Sequence, residues 1–174
     1  MTRRRLWGAL LFAALPLFTQ TGPNAKMQEF LRFTLDETPE QIIQRMGRPE
    51  RIDDSVSRYQ SWQYGAPADE ANDDNSPPAW FFCLRADNRQ ILSVTRNFDK
   101  PQDVDALFPA AEATVHRWPS KEAPQFSLRL RRMAGETLLL AIGTAKPGDR
   151  TTQLVLIRRS ALKTFMPWLD EQLR

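Results

Sequence analysis

The feature that most constrains the fold of this chain is a strict alternation of apolar and polar side chains in its second half. The alternating segment reads Phe126, Ser127, Leu128, Arg129, Leu130 and Arg131. Such a pattern is typical of a β-strand with one face on a core and the other in water. Turn sequences at 134–136 and 146–149 each lead into another apolar segment, at 137–143 and 151–157. Short turns between such segments favour antiparallel strand pairing.

A short helix is predicted in the first half from its capping residues. Thr38 can cap the helix, Pro39 suits its first turn, and Gln41 completes a capping box three residues after the cap. Gly47 and Pro49 then end the helix after about two turns.

The remaining patterns place strands around this helix and a second helix at the end of the chain. Strands are expected at 59–64, 79–85, 90–96 and 113–118, with one helical turn at 103–108. The closing helix begins near Ser160 and carries Leu162, Phe165 and Leu169 at helical spacing, and Pro167 should kink or restart it. This order predicts an α+β fold: antiparallel sheet or sheets, with the short N-terminal helix and the C-terminal helix packed on one face.

The N-terminus has the pattern of an export signal. Arg3, Arg4 and Arg5 precede an apolar run from Leu6 to Phe18, which is shorter than the roughly 20 residues of a membrane span. We interpret residues 1–25 as a signal peptide, which places the protein in the periplasm or outside the cell. An uncleaved leader that holds the protein at the membrane is the alternative.

Charge divides the exported part into two halves. Residues 26–112 carry 10 basic and 16 acidic residues, whereas residues 113–174 carry 11 basic and 5 acidic residues. The whole exported part is therefore formally neutral, which argues against a nucleic-acid partner. The opposite charges of the halves could hold them together, or leave an acidic end and a basic end for different partners.

Groups that could support catalysis or metal binding are few. His116 is the only histidine, and Cys83 is the only cysteine and lies in an apolar segment that makes a thiol inert. The acidic loop at 69–75 does not have the spacing of a calcium-binding EF-hand. We therefore expect no enzymatic activity, no metal site and no small-molecule cofactor.

Two groups of residues are candidates for binding a partner. Trp62 and Tyr64 share one face of a predicted strand, where they either pack on the first helix or remain exposed as protein-binding anchors. Arg129, Arg131 and Arg158 could form a basic face, because the alternation directs Arg129 and Arg131 away from Leu128 and its neighbours. Such a face would suit an acidic protein surface or anionic lipid head groups.

A family resemblance spans about residues 34–98. The segments 38–43, 46–49 and 62–64, followed by a hairpin turn at 85–91, resemble the small outer-membrane lipoproteins of the β-barrel assembly machinery, the SmpA/OmlA type. The related two-layer fold of β-lactamase-inhibitor proteins shares these elements. The lipid-bearing cysteine of the family has no counterpart here, and the resemblance does not extend into the second half.

The resemblance and the leader together predict an exported, non-enzymatic module that binds a protein partner in the cell envelope or takes part in envelope assembly. An extracytoplasmic protein inhibitor of a hydrolase is the alternative that the inhibitor-like fold implies.

Overall fold

The computed structural model describes residues 24–65, 77–109, 112–117, 127–144, 146 and 148–174. Most of the predicted leader, the predicted acidic loop and Phe126 lie outside these residues. The strands are β1 (Arg51–Asp53), β2 (Tyr59–Tyr64), β3 (Trp80–Arg85), β4 (Ile91–Asp103), β5 (Ala113–Arg117), β6 (Ser127–Arg132), β7 (Thr137–Ile142) and β8 (Arg150–Arg158). The helices are α1 (Ala25–Phe30), α2 (Pro39–Met46), α3 (Leu162–Phe165) and α4 (Pro167–Gln172), with 3-10 turns at Asp105–Leu107 and Arg159–Ala161.

The strands form one antiparallel sheet in the order β1-β2-β3-β4-β8-β7-β6-β5. Strands β1 to β4 follow one another as a meander, and so do β5 to β8. The two meanders join at the centre, where β4 pairs with β8 and Val94 faces Leu156. The acidic and basic halves, divided at residue 112, therefore share one continuous sheet.

Both faces of this sheet are buried over much of its area. On the first face, Leu154 and Leu156 belong to a core that includes Met27 and Ile42 of the N-terminal helices. On the second face, the alternate β8 residues belong to another core, which includes Leu162 of α3. Because successive side chains of a strand point to opposite faces, the N-terminal and C-terminal helices lie on opposite sides of the sheet.

The predicted α+β fold, with both helices on one face, is wrong. The described part of the protein is mainly a β-sheet, and the longest helix in that part, α2, has 8 residues. The physical reason is that the central part of β8, Leu154-Val155-Leu156-Ile157, has apolar side chains on both faces of the sheet, so each face must be covered by other elements. The N-terminal helices cover part of one face and the C-terminal helices part of the other.

The local features of the helices follow the sequence closely. Thr38 and Gln41 form the predicted capping box of α2, and the closing helix is interrupted before Pro167 as predicted. Two elements, α1 and β1, were not predicted. None of the helices in the described ranges is long and apolar enough to span a membrane.

The start of α1 bears on the predicted cleavage after Ala25. Asn24 caps this helix, since its side-chain oxygen accepts a hydrogen bond from the Met27 amide at 3.0 Å. Met27 and Phe30 are fully buried in the core of the first face. Cleavage after Ala25 would therefore remove the cap while keeping the buried residues.

Candidate functional site

An open cleft of about 640 Å³ lies on the second face of the sheet. One side is formed by the connection between β1 and β2, and the opposite side by α3 and Met166. Its floor is the part of the sheet made by β2, β3, β4 and β8. We call this space the second-face cleft.

The alternation of strand residues determines which side chains reach the floor. In β2, Trp62 and Tyr64 enter the core of the first face, so Ser61 and Gln63 line the cleft. Two further strands bring Phe81 and Val155 beside them, with other hydroxyl and amide groups from β4 and β8. The floor therefore combines apolar side chains with groups that can form hydrogen bonds.

The rim of the cleft carries two of the most exposed large apolar side chains in the described part of the chain. Val56 is 58% exposed and Phe165 is 39% exposed. The Phe165 ring lies 5.1 Å from that of Tyr59, centroid to centroid, at an interplanar angle of 58°. This contact joins α3 to the first residue of β2 at the rim of the cleft.

Two titratable groups of the cleft have shifted pKa values. Burial raises the pKa of the Cys83 thiol in the floor to about 11, so the thiol stays protonated at neutral pH. The pKa of Asp53 at the mouth is lowered, first because the backbone amide of Ser55 donates to its carboxylate at 2.9 Å, and further by the charge of Arg51. The cleft thus presents one anionic side chain and no reactive thiolate.

The structure buries both predicted aromatic anchors. Trp62 and Tyr64 lie in the core of the first face, where the Tyr64 hydroxyl donates to the Gly47 carbonyl at 3.3 Å. Burial raises the pKa of Tyr64 to about 12. Of the two alternatives, the structure therefore shows packing in the core that includes Ile42 of α2, and neither residue is an exposed anchor.

The prediction that Arg129 lies on a wet face is wrong. Arg129 is only 6% exposed, and its guanidinium donates to the Asp105 carboxylate and to the Lys146 carbonyl. The cause is the 3-10 turn at Asp105–Leu107, which covers the face of β6 opposite Leu128. The hydrogen bond from Arg129 is also the main reason why the pKa of Asp105 is lowered.

Arg131 and Arg158 are also engaged within the molecule. Arg131 forms an ion pair with Glu112 at 2.8 Å and donates to the Leu107 carbonyl at 3.1 Å. Arg158 pairs with Asp36 at 2.8 Å and donates to the Ile91 carbonyl at 2.9 Å. The three predicted arginines therefore bind acidic residues of the first half, and they do not form a single exposed basic face.

His116 connects two elements at the β5 edge of the sheet. Its ring nitrogens lie 3.0 Å from Thr114 Oγ1 and 3.0 Å from Gln172 Oε1, so His116 links β5 to α4. Within the described ranges, no group of three His, Cys, Asp or Glu side chains is placed to hold a metal ion.

Comparison with known proteins does not identify a family for this chain. No family model and no curated protein matches this sequence. One solved structure, an extracellular protein containing an SCP domain from Bacillus anthracis strain Ames, has 13% sequence identity and a TM-score of 0.41. The match covers 72% of this chain and 44% of that chain. A likeness of this extent does not indicate a shared function.

Sequence reasoning missed the residues that define the second-face cleft. Val56 stands between two serines in a segment with no strand or helix pattern. Phe165 lies at helical spacing from Leu162 and Leu169, a pattern that predicts a core position. However, the helix breaks before Pro167, and Phe165 remains exposed. The sequence signal that could have indicated the exposure of Phe165 was Pro167, because a proline interrupts a helix.

Proposed function

We propose that this protein is an exported, non-enzymatic module that binds a protein partner in the cell envelope through the second-face cleft. The observation that carries the proposal is the exposed apolar rim, Val56 and Phe165, above a floor rich in hydroxyl and amide groups. Export is supported by the leader pattern of residues 1–25.

The chemistry of the cleft suits a polypeptide segment. Aromatic and aliphatic side chains at a rim can enclose an apolar anchor residue of a partner, and such anchors contribute most of the binding energy in protein interfaces. Ser61 and Gln63 can pair with backbone amides or carbonyls of the same segment, which gives orientation and specificity. A partner segment with one bulky apolar residue between uncharged neighbours fits this arrangement.

The test is site-specific cross-linking followed by measurement of affinity. A photoreactive amino acid replaces Phe165 in the producing cell, and the cross-linked envelope protein is identified and purified. Calorimetry then compares the wild type with Phe165→Asp and with the matched control Val115→Asp. Val115 is 45% exposed on β5, at the other edge of the sheet.

We expect Phe165→Asp to weaken binding by about tenfold or more, which is the usual effect of losing an apolar hot spot. Val115→Asp should leave binding unchanged. Equal affinities for all three proteins would refute the cleft as the binding site. A barrel-assembly component as partner would support the resemblance of residues 34–98, whereas a soluble hydrolase would support the inhibitor alternative.

A further inference from the structure

The first strand, β1, forms one edge of the sheet and carries one apolar side chain between two charged ones. Within the described part of the chain, β1 pairs only with β2, so the polar backbone groups on its other side are open to a further strand. The strand reads Arg51-Ile52-Asp53, and Ile52 is 51% exposed. An exposed sheet edge can accept a further strand through main-chain hydrogen bonds.

The charge pattern of β1 is complementary to itself. When two copies of a strand pair antiparallel about a two-fold axis perpendicular to the sheet, opposite residues come from the same face. Arg51 and Asp53 share a face because they are two residues apart. With Ile52 on the axis, Arg51 of each copy stands opposite Asp53 of the other, and the four charges alternate in sign.

The neighbouring registers are unfavourable. An axis at Arg51 would place the two arginines opposite each other, and an axis at Asp53 would do the same with the two aspartates. Like charges that are directly opposed destabilise a strand pair, whereas opposite charges stabilise it. The sequence of β1 therefore selects the register centred on Ile52.

Apolar surface lies beside the same edge. A groove on the first face is lined by Ile43, Ile52 and Trp62, and Val56 lines both this groove and the second-face cleft. A strand added to β1 would cover part of the exposed Ile52 and would lie close to Val56. Burial of these side chains adds a hydrophobic contribution to the paired charges.

We propose that this protein forms a two-fold symmetric dimer by antiparallel pairing of β1 with β1 of a second copy, centred on Ile52. The two sheets then continue into one another, and the second-face clefts of both copies lie on the same side of the combined sheet. Pairing over three residues makes a small interface, so the dimer is weak and depends on concentration.

Sedimentation equilibrium of the full chain without the leader, from about 1 μM to 1 mM, covers the affinities expected of a small interface. The variants are Arg51→Asp, Asp53→Arg and the double exchange of both residues. Arg58→Asp is the matched control, because Arg58 is an exposed arginine outside β1. Circular dichroism of each variant checks that the fold is retained.

We expect each single reversal to weaken the dimer by about tenfold or more, since two attractive pairs become repulsive. The double exchange should restore dimerisation, and an equimolar mixture of the two single variants should form a heterodimer. Arg58→Asp should behave as the wild type. A wild type that stays monomeric at every concentration would overturn the proposal, as would single reversals that leave the dimer unchanged.

A second measurement does not depend on charge reversal. In Ile52→Cys, the two introduced thiols would meet at the symmetry axis, where opposed Cα atoms lie about 4.5–5.5 Å apart, within disulfide range. Mild oxidation should give a covalent dimer of Ile52→Cys and none of Val115→Cys. Equal cross-linking of both variants, or of neither, would contradict pairing through β1.

Discussion

Replacing Arg129 by glutamine perturbs the most deeply buried charge described in this protein. The guanidinium donates to Asp105 and to the Lys146 carbonyl, and so connects β6 to the 3-10 turn and to the turn before β8. Because Asp105 belongs to the acidic half and Arg129 to the basic half, the substitution also tests whether charge opposition holds the halves together. We expect Arg129→Gln to lower the free energy of unfolding.

The magnitude follows from the surroundings of the two partners. Hydrogen bonds to charged groups contribute about 1.5–3 kcal/mol each, and glutamine can replace one of the two in part. The Asp105 side chain is 44% exposed, so it becomes hydrated after the substitution and is not left as an uncompensated buried charge. A loss of about 2–4 kcal/mol results, which corresponds to a fall in Tm of about 5–15 °C for a chain of this size.

Urea and thermal unfolding of the wild type, Arg129→Gln and the control Arg132→Gln measure this effect. Arg132 is an exposed residue of the same strand, and surface substitutions of this kind usually change stability by within about 0.5 kcal/mol. If Arg129→Gln falls within that range of Arg132→Gln, the reasoning is refuted, and Arg129 contributes no more than a solvated side chain.

The same substitution should alter the dependence of stability on pH. The hydrogen bond from Arg129 lowers the pKa of Asp105 in the folded state. The stabilisation is therefore complete above the unfolded pKa, about 4, and is lost as the pH falls through the folded pKa. The difference in unfolding free energy between wild type and Arg129→Gln should thus shrink below about pH 4; a constant difference would contradict the assignment.

Three further predictions concern the core and the N-terminus. Ile42→Ala should destabilise the fold by about 2–5 kcal/mol and Thr38→Ala by about 0.5–2 kcal/mol, because the first leaves a cavity and the second removes a cap; negligible effects of both substitutions in urea unfolding would contradict the docked helix. A chain that starts at Asn24 should be more stable than one that starts at Lys26 by about 1 kcal/mol, measured by the same method, because only the longer chain caps α1. Cys83 should react slowly with iodoacetamide at pH 8 and rapidly in urea, since burial raises its pKa to about 11; rapid reaction of the folded protein would contradict this.

Prediction from the sequence succeeded where the signal was local. The cap of α2 depends on Thr38 and Gln41, which lie three residues apart, and the interruption at Pro167 depends on one missing amide. In contrast, β1 has only three residues, which is too few for alternation to distinguish a strand from a loop. Strands of that length form because a neighbouring strand supplies the hydrogen bonds, and no local pattern specifies the neighbour.

The error about Arg129 has a specific physical cause. Alternation shows that Leu128 and Arg129 point to opposite faces, but it does not show which face is in contact with water. Here Leu107 and its neighbours cover the face that carries the arginine. The candidate site could not be predicted from the sequence either. The second-face cleft brings together residues of β2 and β8, and their proximity depends on the central pairing of β4 with β8.

The pairing of β4 with β8 determines when the sheet can be completed during synthesis. Strand β4 is 13 residues long, and its second edge has no partner until β8, close to the C-terminus, has been synthesised. An unpaired edge of this length pairs readily with other chains. Until β8 has been synthesised as far as residue 158, β4 therefore exposes an edge through which chains can associate, and the sheet becomes continuous only when β8 pairs with it.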